Sequence, residues 1–328
     1  MKPDAAVVGP GIGGAATTRP GSAKRTKMSG AKREERWAYA LLVMPAVLVY
    51  WAVMAFPAFF SVGLSLTNYN GGPLWNSLNP VRFIGLSNYV KMLRDPFFTI
   101  SLKNNMYIIL VSIFGQIPLG FILAYVLSRR LVGLRDFFQG MIYVPTVIST
   151  IVVGILWQSI FSLYGPFTEI MHKLNPMWEN TLFINPRTAM IPILLVIIWM
   201  YTGTYLIIFL ANLQKIDPEV IEAAKINGAT EGQALRYVML PALSGVIVTS
   251  AILAISGSLQ SFALIFAMTA GNPARRTSVL SLYMYDAAFR GAPDYGLANA
   301  ISTFIVALSL VLIAILKVVE KRAGGREE

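Results

Sequence analysis

The stretch that decides the fold is residues 188–214, which read TAMIPILLVIIWMYTGTYLIIFLANLQ. It contains no Asp, Glu, Lys, Arg or His. A helix that rises about 1.5 Å per residue needs about 20 apolar residues to cross a hydrocarbon core of about 30 Å. Residues 188–214 are therefore long enough and apolar enough to form a transmembrane helix.

Five other stretches also lack Asp, Glu, Lys and Arg, and each is long enough to cross a bilayer. They are residues 37–81, 104–128, 137–168, 237–274 and 295–316. Only 13% of the 328 residues are charged, whereas soluble domains carry about 25%. The sequence therefore predicts an all-α, polytopic membrane protein with six spans. We place these spans near residues 38–65, 104–127, 138–163, 188–213, 243–268 and 297–317.

The basic residues predict the orientation of these spans, because Lys and Arg are retained on the cytoplasmic side. With the N-terminus inside, the inner segments hold 18 of the 27 Lys and Arg residues. We therefore expect both termini of this multi-pass protein to be cytoplasmic. The predicted organisation is a flexible basic tail (1–36), a transmembrane domain (37–318) that includes the loop 214–242, and a second cytoplasmic tail (319–328).

Several function classes are disfavoured by the composition. Gly9, Gly11 and Gly14 have the spacing of a dinucleotide-binding turn, but no βαβ pattern surrounds them, so we interpret them as part of the tail. The net charge of +11 belongs to the flanks of the spans and to the tail, which argues against nucleic-acid binding. The chain has no Cys, which excludes disulfides and thiolate metal sites.

The loop between the fourth and fifth predicted spans, residues 214–242, is predicted to form two short helices. Asp217 suits an N-cap, Pro218 the first helical position, and Gly228 the left-handed residue that ends the first helix. Thr230 and Gln233 have the spacing of a capping box that opens the second helix. The loop has a net charge of −1, so it suits a protein groove better than anionic lipid.

This loop resembles the EAA signature of ATP-binding-cassette (ABC) importer permeases, with Val238 in place of the usual Ile. The matching residues are Glu222, Ala223, Ala224, Gly228, Leu240 and Pro241. The resemblance implies that the loop is a coupling helix, which seats in a groove of a separate cytosolic ATPase. The alternative is an ordinary helical hairpin, solvated and carrying a Glu222–Lys225 pair.

The resemblance extends over most of residues 38–318, to the maltose and glycerol-phosphate type of sugar permease and to its larger maltose subunit. Residues 83–89 (FIGLSNY) and 269–273 (TAGNP) are similar to signatures of that group. The resemblance implies that residues 37–318 are the permease domain of an importer complex in a bacterial cytoplasmic (inner) membrane. Its other members would be a second homologous permease, an ABC ATPase dimer that binds ATP and Mg, and an extracytoplasmic sugar-binding protein. No cofactor is expected in this chain, and membrane lipid is the expected surrounding.

A sugar site needs hydrogen-bonding groups in a mostly apolar cavity. Polar and small residues of the fourth and fifth predicted spans are the candidates for substrate binding: Tyr201, Thr204, Gly257, Ser258, Gln260 and Ser261. Alignment with the maltose-type subunit also points to Ile197, Met200 and Ala254, which offer no side-chain hydrogen bond to a hydroxyl. The alternative is that the Ser, Gly and Thr residues only permit close packing of helices.

The sequence leaves open two rival function classes and the identity of the solute. The main rival is a secondary transporter or channel that works without ATP, but the six uncharged stretches offer no Asp, Glu, Lys, Arg or His for ion coupling. The chain has no phosphate-binding loop, so the ATPase of an importer would be a separate polypeptide. A membrane-embedded enzyme is a third class, but Asp95, Asp286 and Asp294 show no metal-ligand spacing. The solute could be an oligosaccharide, a monosaccharide or glycerol phosphate.

Overall fold

The computed structural model describes residues 30–73, 80–129, 131 and 133–324. These residues form helices and connecting turns without a named β-strand, and an isolated antiparallel bridge joins Thr67 to Phe83. The α-helices are α1 (Gly30–Tyr50), α2 (Phe56–Ser65), α3 (Ser87–Arg94), α4 (Pro96–Val111), α5 (Ile117–Ser128), α6 (Arg135–Val147), α7 (Thr150–Ile160), α8 (Pro166–Leu174), α9 (Met190–Leu213), α10 (Pro218–Ile226), α11 (Glu231–Ala234), α12 (Leu240–Ala242), α13 (Ser244–Leu259), α14 (Ala263–Thr269), α15 (Leu280–Phe289) and α16 (Tyr295–Gly324).

Three π-helical turns interrupt the α-helices, and each of them ends two residues before a proline. They are π1 (Trp51–Ala55), π2 (Ser112–Gln116) and π3 (Leu235–Met239), followed by Pro57, Pro118 and Pro241. A proline has no N–H and its ring clashes with the carbonyl four residues earlier. The residue just before each proline instead donates its N–H to the carbonyl five residues earlier. The π turns thus let the helices continue through these prolines.

Four helical stretches are long and apolar enough to cross a membrane. They are Trp37–Ser65, Pro96–Ser128, Met190–Leu213 and Tyr295–Lys321. Two further candidates are bent pairs, Arg135–Val147 with Thr150–Ile160 (97°) and Glu231–Ala242 with Ser244–Leu259 (65°). The described residues therefore contain four candidate spans, or up to six if each bent pair counts as one.

The third and fifth predicted spans differ from the structure, because neither is a single straight helix. The predicted span 138–163 breaks after α6, where Ile148 and Ser149 have extended ψ angles of 144° and 126°. The predicted span 243–268 breaks at residues 260–262, between α13 and α14. The Ser261 hydroxyl donates to the Ser258 carbonyl at 2.9 Å, and such a local bond competes with continuation of the helix.

Helices extend into both predicted tails. Residues 30–36, which were assigned to the flexible tail, form the first turns of α1, since Ala, Lys, Arg and Glu favour helix. Helix α16 likewise continues to Gly324, past the predicted boundary at residue 318. The glycine triplet and the rest of the predicted N-terminal tail lie outside the described residues.

The described residues divide into two compact units, one ending at Phe56 and the other beginning at Pro57. In the first unit, the apolar side chains of α1 are exposed along its length, as suits a helix surrounded by hydrocarbon. In the second unit, α9 is the most buried long helix. Its residues belong to two hydrophobic clusters, one around Ile193 and Met200 and one around Leu206 and Phe209.

Two glycines allow the neighbours of α9 to approach it closely. A Cβ at Gly120 in α5 would lie 2.6 Å from the Cβ of Tyr205, and a Cβ at Gly203 in α9 would lie 2.5 Å from the Ile142 carbonyl oxygen of α6. No larger residue fits at either contact without movement of the helices. Small residues at helix contacts are typical of membrane bundles, and here they position α5 and α6 against the helix that carries the candidate site.

Candidate functional site

The first candidate element is α10, and its ends have the structure that the sequence predicts. The Asp217 side chain accepts a hydrogen bond from the Glu219 N–H at 2.9 Å, and Pro218 opens the helix. Gly228 follows the C-cap residue with a φ of +86°, a conformation that strains any residue with a Cβ. The predicted N-cap, first helical residue and terminating glycine are all confirmed.

The predicted capping box of α11 is also confirmed. The Thr230 N–H donates to the Gln233 Oε1 at 2.7 Å, and the Gln233 N–H donates to the Thr230 Oγ1 at 3.4 Å. These two bonds satisfy backbone donors that the first turn of a helix leaves unpaired. The chain therefore reverses between α10 and α11 through a turn that is capped on both sides.

Helix α10 lies on the surface of the described chain. None of its residues is buried, and its apolar Ile226 has an exposed fraction of 86%. Glu222 and Ala223 are exposed, and Ala224 is half-buried. At the other end of the signature, Leu240 is half-buried and Pro241 is exposed. An exposed helix with small and apolar residues is suited to fit into a groove of another protein.

The ion pairs of this loop differ from those of an ordinary solvated hairpin. Lys225 pairs with Glu231 (Nζ to Oε2, 2.8 Å) rather than with Glu222. Glu231 also accepts from Arg129 at 2.9 Å and from the Tyr125 hydroxyl at 3.3 Å, which connects the loop to the end of α5. Within the described ranges, the Glu222 carboxylate has no ion-pair partner, so its charge is available to another molecule.

The second candidate element is a cavity of about 410 Å³ between α4, π2, α7, α9, α13 and α14. All six predicted substrate-binding residues line it: Tyr201, Thr204, Gly257, Ser258, Gln260 and Ser261. Ile197 and Ala254 line it as well and add an apolar wall. Met200 belongs instead to the hydrophobic core, with an exposed fraction of 1%. The cavity combines hydroxyl, amide and apolar surface.

Sequence reasoning missed the lining residues outside the fourth and fifth predicted spans. Ser112 and Gln116 come from the π2 turn, and Thr150 comes from the start of α7. The Gln116 Nε2 donates to the Ile197 carbonyl oxygen at 2.7 Å, and Gln116 has an exposed fraction of 1%. A carboxamide within an otherwise apolar stretch was the signal that could have identified this residue.

One side chain of α4 joins the lining to the segment that follows it. The Asn105 Nδ2 donates to the Ser258 carbonyl oxygen at 2.7 Å, and its Oδ1 accepts from the Leu280 N–H at 2.8 Å. Both bonds are buried, and Asn105 itself is fully buried. Asn105 therefore fixes the end of α13 relative to the start of α15.

The segment that matched the TAGNP signature forms a compact turn between α14 and α15. The Thr269 and Thr277 hydroxyls lie 2.7 Å apart, and the Thr277 hydroxyl also donates to the Asn272 carbonyl at 2.8 Å. Asn104 donates to the carbonyls of Arg276 and Ser278 at 2.8 and 2.7 Å. These bonds anchor the turn on α4.

The three aspartates without metal-ligand spacing each have a different partner. Asp95 caps α4 and accepts from the Tyr283 hydroxyl at 2.7 Å, and Asp294 pairs with Lys91 at 2.6 Å. Asp286 is buried beside Arg275 (3.6 Å) and Arg290 (3.2 Å). Burial raises the pKa of the Asp286 carboxyl, and the two guanidinium groups oppose that rise. The described residues bring together no group of three or more potential metal ligands.

Comparison with known proteins gives the family. Residues 116–325 match the model of the family described as "Binding-protein-dependent transport system inner membrane component". The chain belongs to this family. The permease is therefore a multi-pass inner-membrane component of an ABC transport system, and the predicted family is confirmed.

Curated relatives of the permease are named as transport permeases rather than as enzymes. It is 32% identical to the lactose transport system permease protein LacF of Rhizobium radiobacter, over 83% of this chain and 90% of that protein. It is 30% identical to the multiple sugar-binding transport system permease protein MsmF of Streptococcus mutans, over 89% and 96%. The prediction of a transport subunit without enzymatic activity is confirmed by these relatives.

Solved structures show the same fold. A bacterial alginate ABC transporter, in complex with an alginate pentasaccharide-bound periplasmic protein, has a chain that superposes on the permease with a TM-score of 0.77. The superposition covers 90% of this chain and 98% of that chain at 20% identity. The all-helical fold of the permease is thus that of an ABC importer subunit.

Proposed function

We propose that the permease is one of two membrane subunits of an ABC sugar importer and forms half of its translocation pathway. The observation that carries this proposal is the pairing of an uncharged, hydroxyl-lined cavity with an exposed, doubly capped helix in a single chain. The cavity would bind solute, and the helix would receive the movement of an ATPase. A second homologous permease would supply the other half of the pathway.

The lining of the cavity supports a neutral sugar as the solute. None of its 17 residues is Asp, Glu, Lys, Arg or His, while hydroxyl and amide groups alternate with apolar ones. A phosphorylated solute would need a compensating positive charge in such a low-dielectric site. The uncharged lining therefore favours an oligosaccharide or monosaccharide over glycerol phosphate, and the names of the lactose and multiple-sugar relatives agree with this choice.

For the topology, we infer six spans with both termini in the cytoplasm. The pair of α6 and α7 then crosses the bilayer once, and α13 followed by α14 forms the fifth span, so that the breaks at residues 148–149 and 260–262 lie inside the membrane. A broken helix is tolerated there when protein surrounds the exposed backbone groups or when they line a cavity. The breaks at residues 148–149 and 260–262 adjoin Thr150 and Gln260–Ala263, which line the cavity. This topology also places α10 on the cytoplasmic side.

The coupling element in this proposal comprises Glu222, Ala223, Ala224, Gly228, Leu240 and Pro241. An ATPase dimer would bind ATP and Mg and then close. Because α10 would be seated in a groove of the ATPase, this closure would move α10. The exposed α10 would supply the contact, and the pairs of Glu231 with Lys225 and Arg129 would transmit the movement to α5. An extracytoplasmic sugar-binding protein would deliver the sugar on the opposite side.

The test is to co-express the permease with its second permease and ATPase and to purify the complex in detergent. We expect Glu222→Lys and Gly228→Asp to lose either the retained ATPase or its stimulation by a sugar-loaded binding protein, because both changes lie in the exposed contact. Glu169→Lys in α8 is the matched control, with the same charge change on the opposite side. Wild-type behaviour of both loop variants would refute the coupling assignment, and transport by the permease alone would favour an ion-driven carrier.

A further inference from the structure

A continuous row of aromatic rings leads away from the cavity described above. It consists of Phe262, Phe266, Tyr285, Phe289, Tyr295 and Tyr69, which we call the aromatic row. Successive ring centroids along it are 5.2 Å (Phe262–Phe266), 5.6 Å (Phe266–Tyr285), 5.2 Å (Tyr285–Phe289), 6.3 Å (Phe289–Tyr295) and 5.7 Å (Tyr295–Tyr69) apart. Phe262 also contacts Tyr285 directly at 5.2 Å.

The row starts at the cavity and runs away from the coupling loop. Phe262 lines the 410 Å³ cavity and follows the end of α13, whose other end adjoins the loop 214–242. Tyr295 is the first residue of α16, and Tyr69 precedes the Gly71–Gly72 turn. A Cβ at Gly71 would lie 2.8 Å from the Tyr295 ring, so a glycine is needed for the turn to pack on this ring.

A second cavity of about 590 Å³ lies beside the row, between α13, α15 and α16. It shares Gln260 and Phe262 with the first cavity, and Tyr285 forms part of its wall. Ser256, Ser302 and Ser309 also line it. Their hydroxyls, like the Gln260 carboxamide, have no hydrogen-bond partner among the described residues. Its lining contains no charged residue.

The free hydroxyls are informative because other hydroxyls of these helices are engaged. Thr303 in α16 donates to the Asn299 carbonyl at 2.8 Å, and Thr249 in α13 donates to the Gly245 carbonyl at 2.9 Å. Ser302 and Ser309 make no such bond, and they lie seven residues apart on one face of α16. The second cavity thus presents unpaired hydrogen-bonding groups next to the half-buried rings of Phe262 and Tyr285.

These features have the chemistry of a surface for sugar rings. A pyranose ring has an apolar C–H face that stacks on an aromatic ring, and its hydroxyls need hydrogen-bond partners at the rim. Packing of the rings against one another does not explain why the outer part of the aromatic row reaches the surface, where the Phe289 side chain has an exposed fraction of 64%.

We propose that the aromatic row and the serine-lined second cavity form a stacking track for a neutral carbohydrate, which passes along it between the outer end of the permease and the first cavity. This proposal rests on the proposed function. Tyr285 is its central ring, since it contacts three other rings of the row and lines the second cavity. Phe289 receives the sugar at the exposed end, and Gln260 and Phe262 transfer it to the first cavity.

The test uses the complete importer in proteoliposomes, with lactose, maltose and raffinose as probes and the best-transported of them for the comparison. Tyr285→Leu is expected to lower ATP-driven uptake about two- to tenfold, the effect of one lost stacking contact. Tyr285→Phe keeps the ring and should retain wild-type uptake. Phe289→Leu should lower uptake without a change in thermal stability, whereas Phe114→Leu, which removes an equally exposed ring outside the row, should not.

The possible results separate this proposal from the proposed function. If the wild-type importer takes up none of the sugars in the presence of ATP, the proposed function is wrong, and the stacking track, which depends on it, is refuted as well. If the wild type transports sugar and both Tyr285→Leu and Phe289→Leu do so equally well, the track alone is refuted. It is also refuted if Tyr285→Phe is as defective as Tyr285→Leu, or if either leucine variant loses the second permease on purification.

Discussion

The Nδ2 of Asn105 in α4 lies 2.7 Å from the carbonyl oxygen of Ser258, a residue that lines the first cavity. The same carboxamide accepts the Leu280 N–H through its Oδ1. The helix break after α13 is therefore held by one buried side chain from a neighbouring helix. This arrangement makes Asn105 a positioning residue for the cavity.

We predict that Asn105→Leu destabilises the permease by about 1–3 kcal/mol, since it leaves the buried Leu280 N–H unpaired and removes one of the hydrogen bonds to the Ser258 carbonyl, which keeps its bond from the Ser261 hydroxyl. Thermal unfolding of the detergent-solubilised complex measures this change. Asn212→Leu is the matched control, because the Asn212 carboxamide bonds only to the Ile208 carbonyl of its own helix. Equal destabilisation by the two variants would contradict the role of Asn105.

We predict that Gly203→Ala destabilises the contact between α6 and α9 by about 1–3 kcal/mol, because the added methyl would overlap the Ile142 carbonyl oxygen. Gly245→Ala is the control, since nothing lies within 4 Å of a Cβ at that position. It should be neutral or slightly stabilising. Thermal unfolding of the two variants in the same detergent compares them, and a stable Gly203→Ala protein would show that the helices can separate freely.

We predict that Thr204→Val weakens sugar transport, with an increase in KM of about three- to tenfold, the effect of one lost hydrogen bond. The Thr204 hydroxyl lines the cavity and has no partner among the described residues. Thr202→Val is the control, because the Thr202 hydroxyl donates to the Ile198 carbonyl at 2.6 Å and lies outside the lining. Uptake kinetics in proteoliposomes distinguish them. An unchanged KM for Thr204→Val would favour the interpretation that these small residues serve helix packing.

We predict that Glu231→Gln loosens the coupling loop without unfolding the protein. Lys225 and Glu231 are each about half-exposed, so their pair contributes at most about 1 kcal/mol to global stability. Its loss should increase hydrogen exchange of the α10 amides several-fold, because the connection to Lys225 and Arg129 is weakened. Glu222→Gln should leave exchange unchanged. Faster exchange in both variants would show that charge, rather than this pairing, determines the order of α10.

The parts of the fold that follow local rules could be predicted from the sequence. The caps at Asp217, Gly228 and Thr230 depend on a few neighbouring residues, and the structure confirms them. The lengths of the uncharged, apolar stretches predicted the helices at residues 190–213 and 295–321, because such a stretch is also a local property of the sequence. The six candidate substrate residues also lie together, since helical spacing on α9 and the end of α13 directs them to one side.

The remaining parts depend on contacts between distant segments. The break at residues 260–262 is stabilised by Asn105, which is 153 positions from Ser258 in the chain. Gln116 lines the cavity because π2 turns it toward Ile197. Asp286 has the helical i,i+4 spacing to Arg290, but its second partner, Arg275, precedes it by 11 residues across the turn before α15. Such pairings have no signal in local composition.

The π2 turn has a consequence for comparison of the permease with its relatives. A π turn holds one residue more than a regular helix would need, and one residue corresponds to a rotation of about 100° around the axis. Deletion of any single residue from 112–116 would leave the apolar character of the span intact, but would turn either Asn104 and Asn105 or the face of α5 away from its partners. In an alignment, this position should accept a one-residue gap only together with replacement of Pro118. Span two therefore tolerates changes in composition far more readily than a change in length.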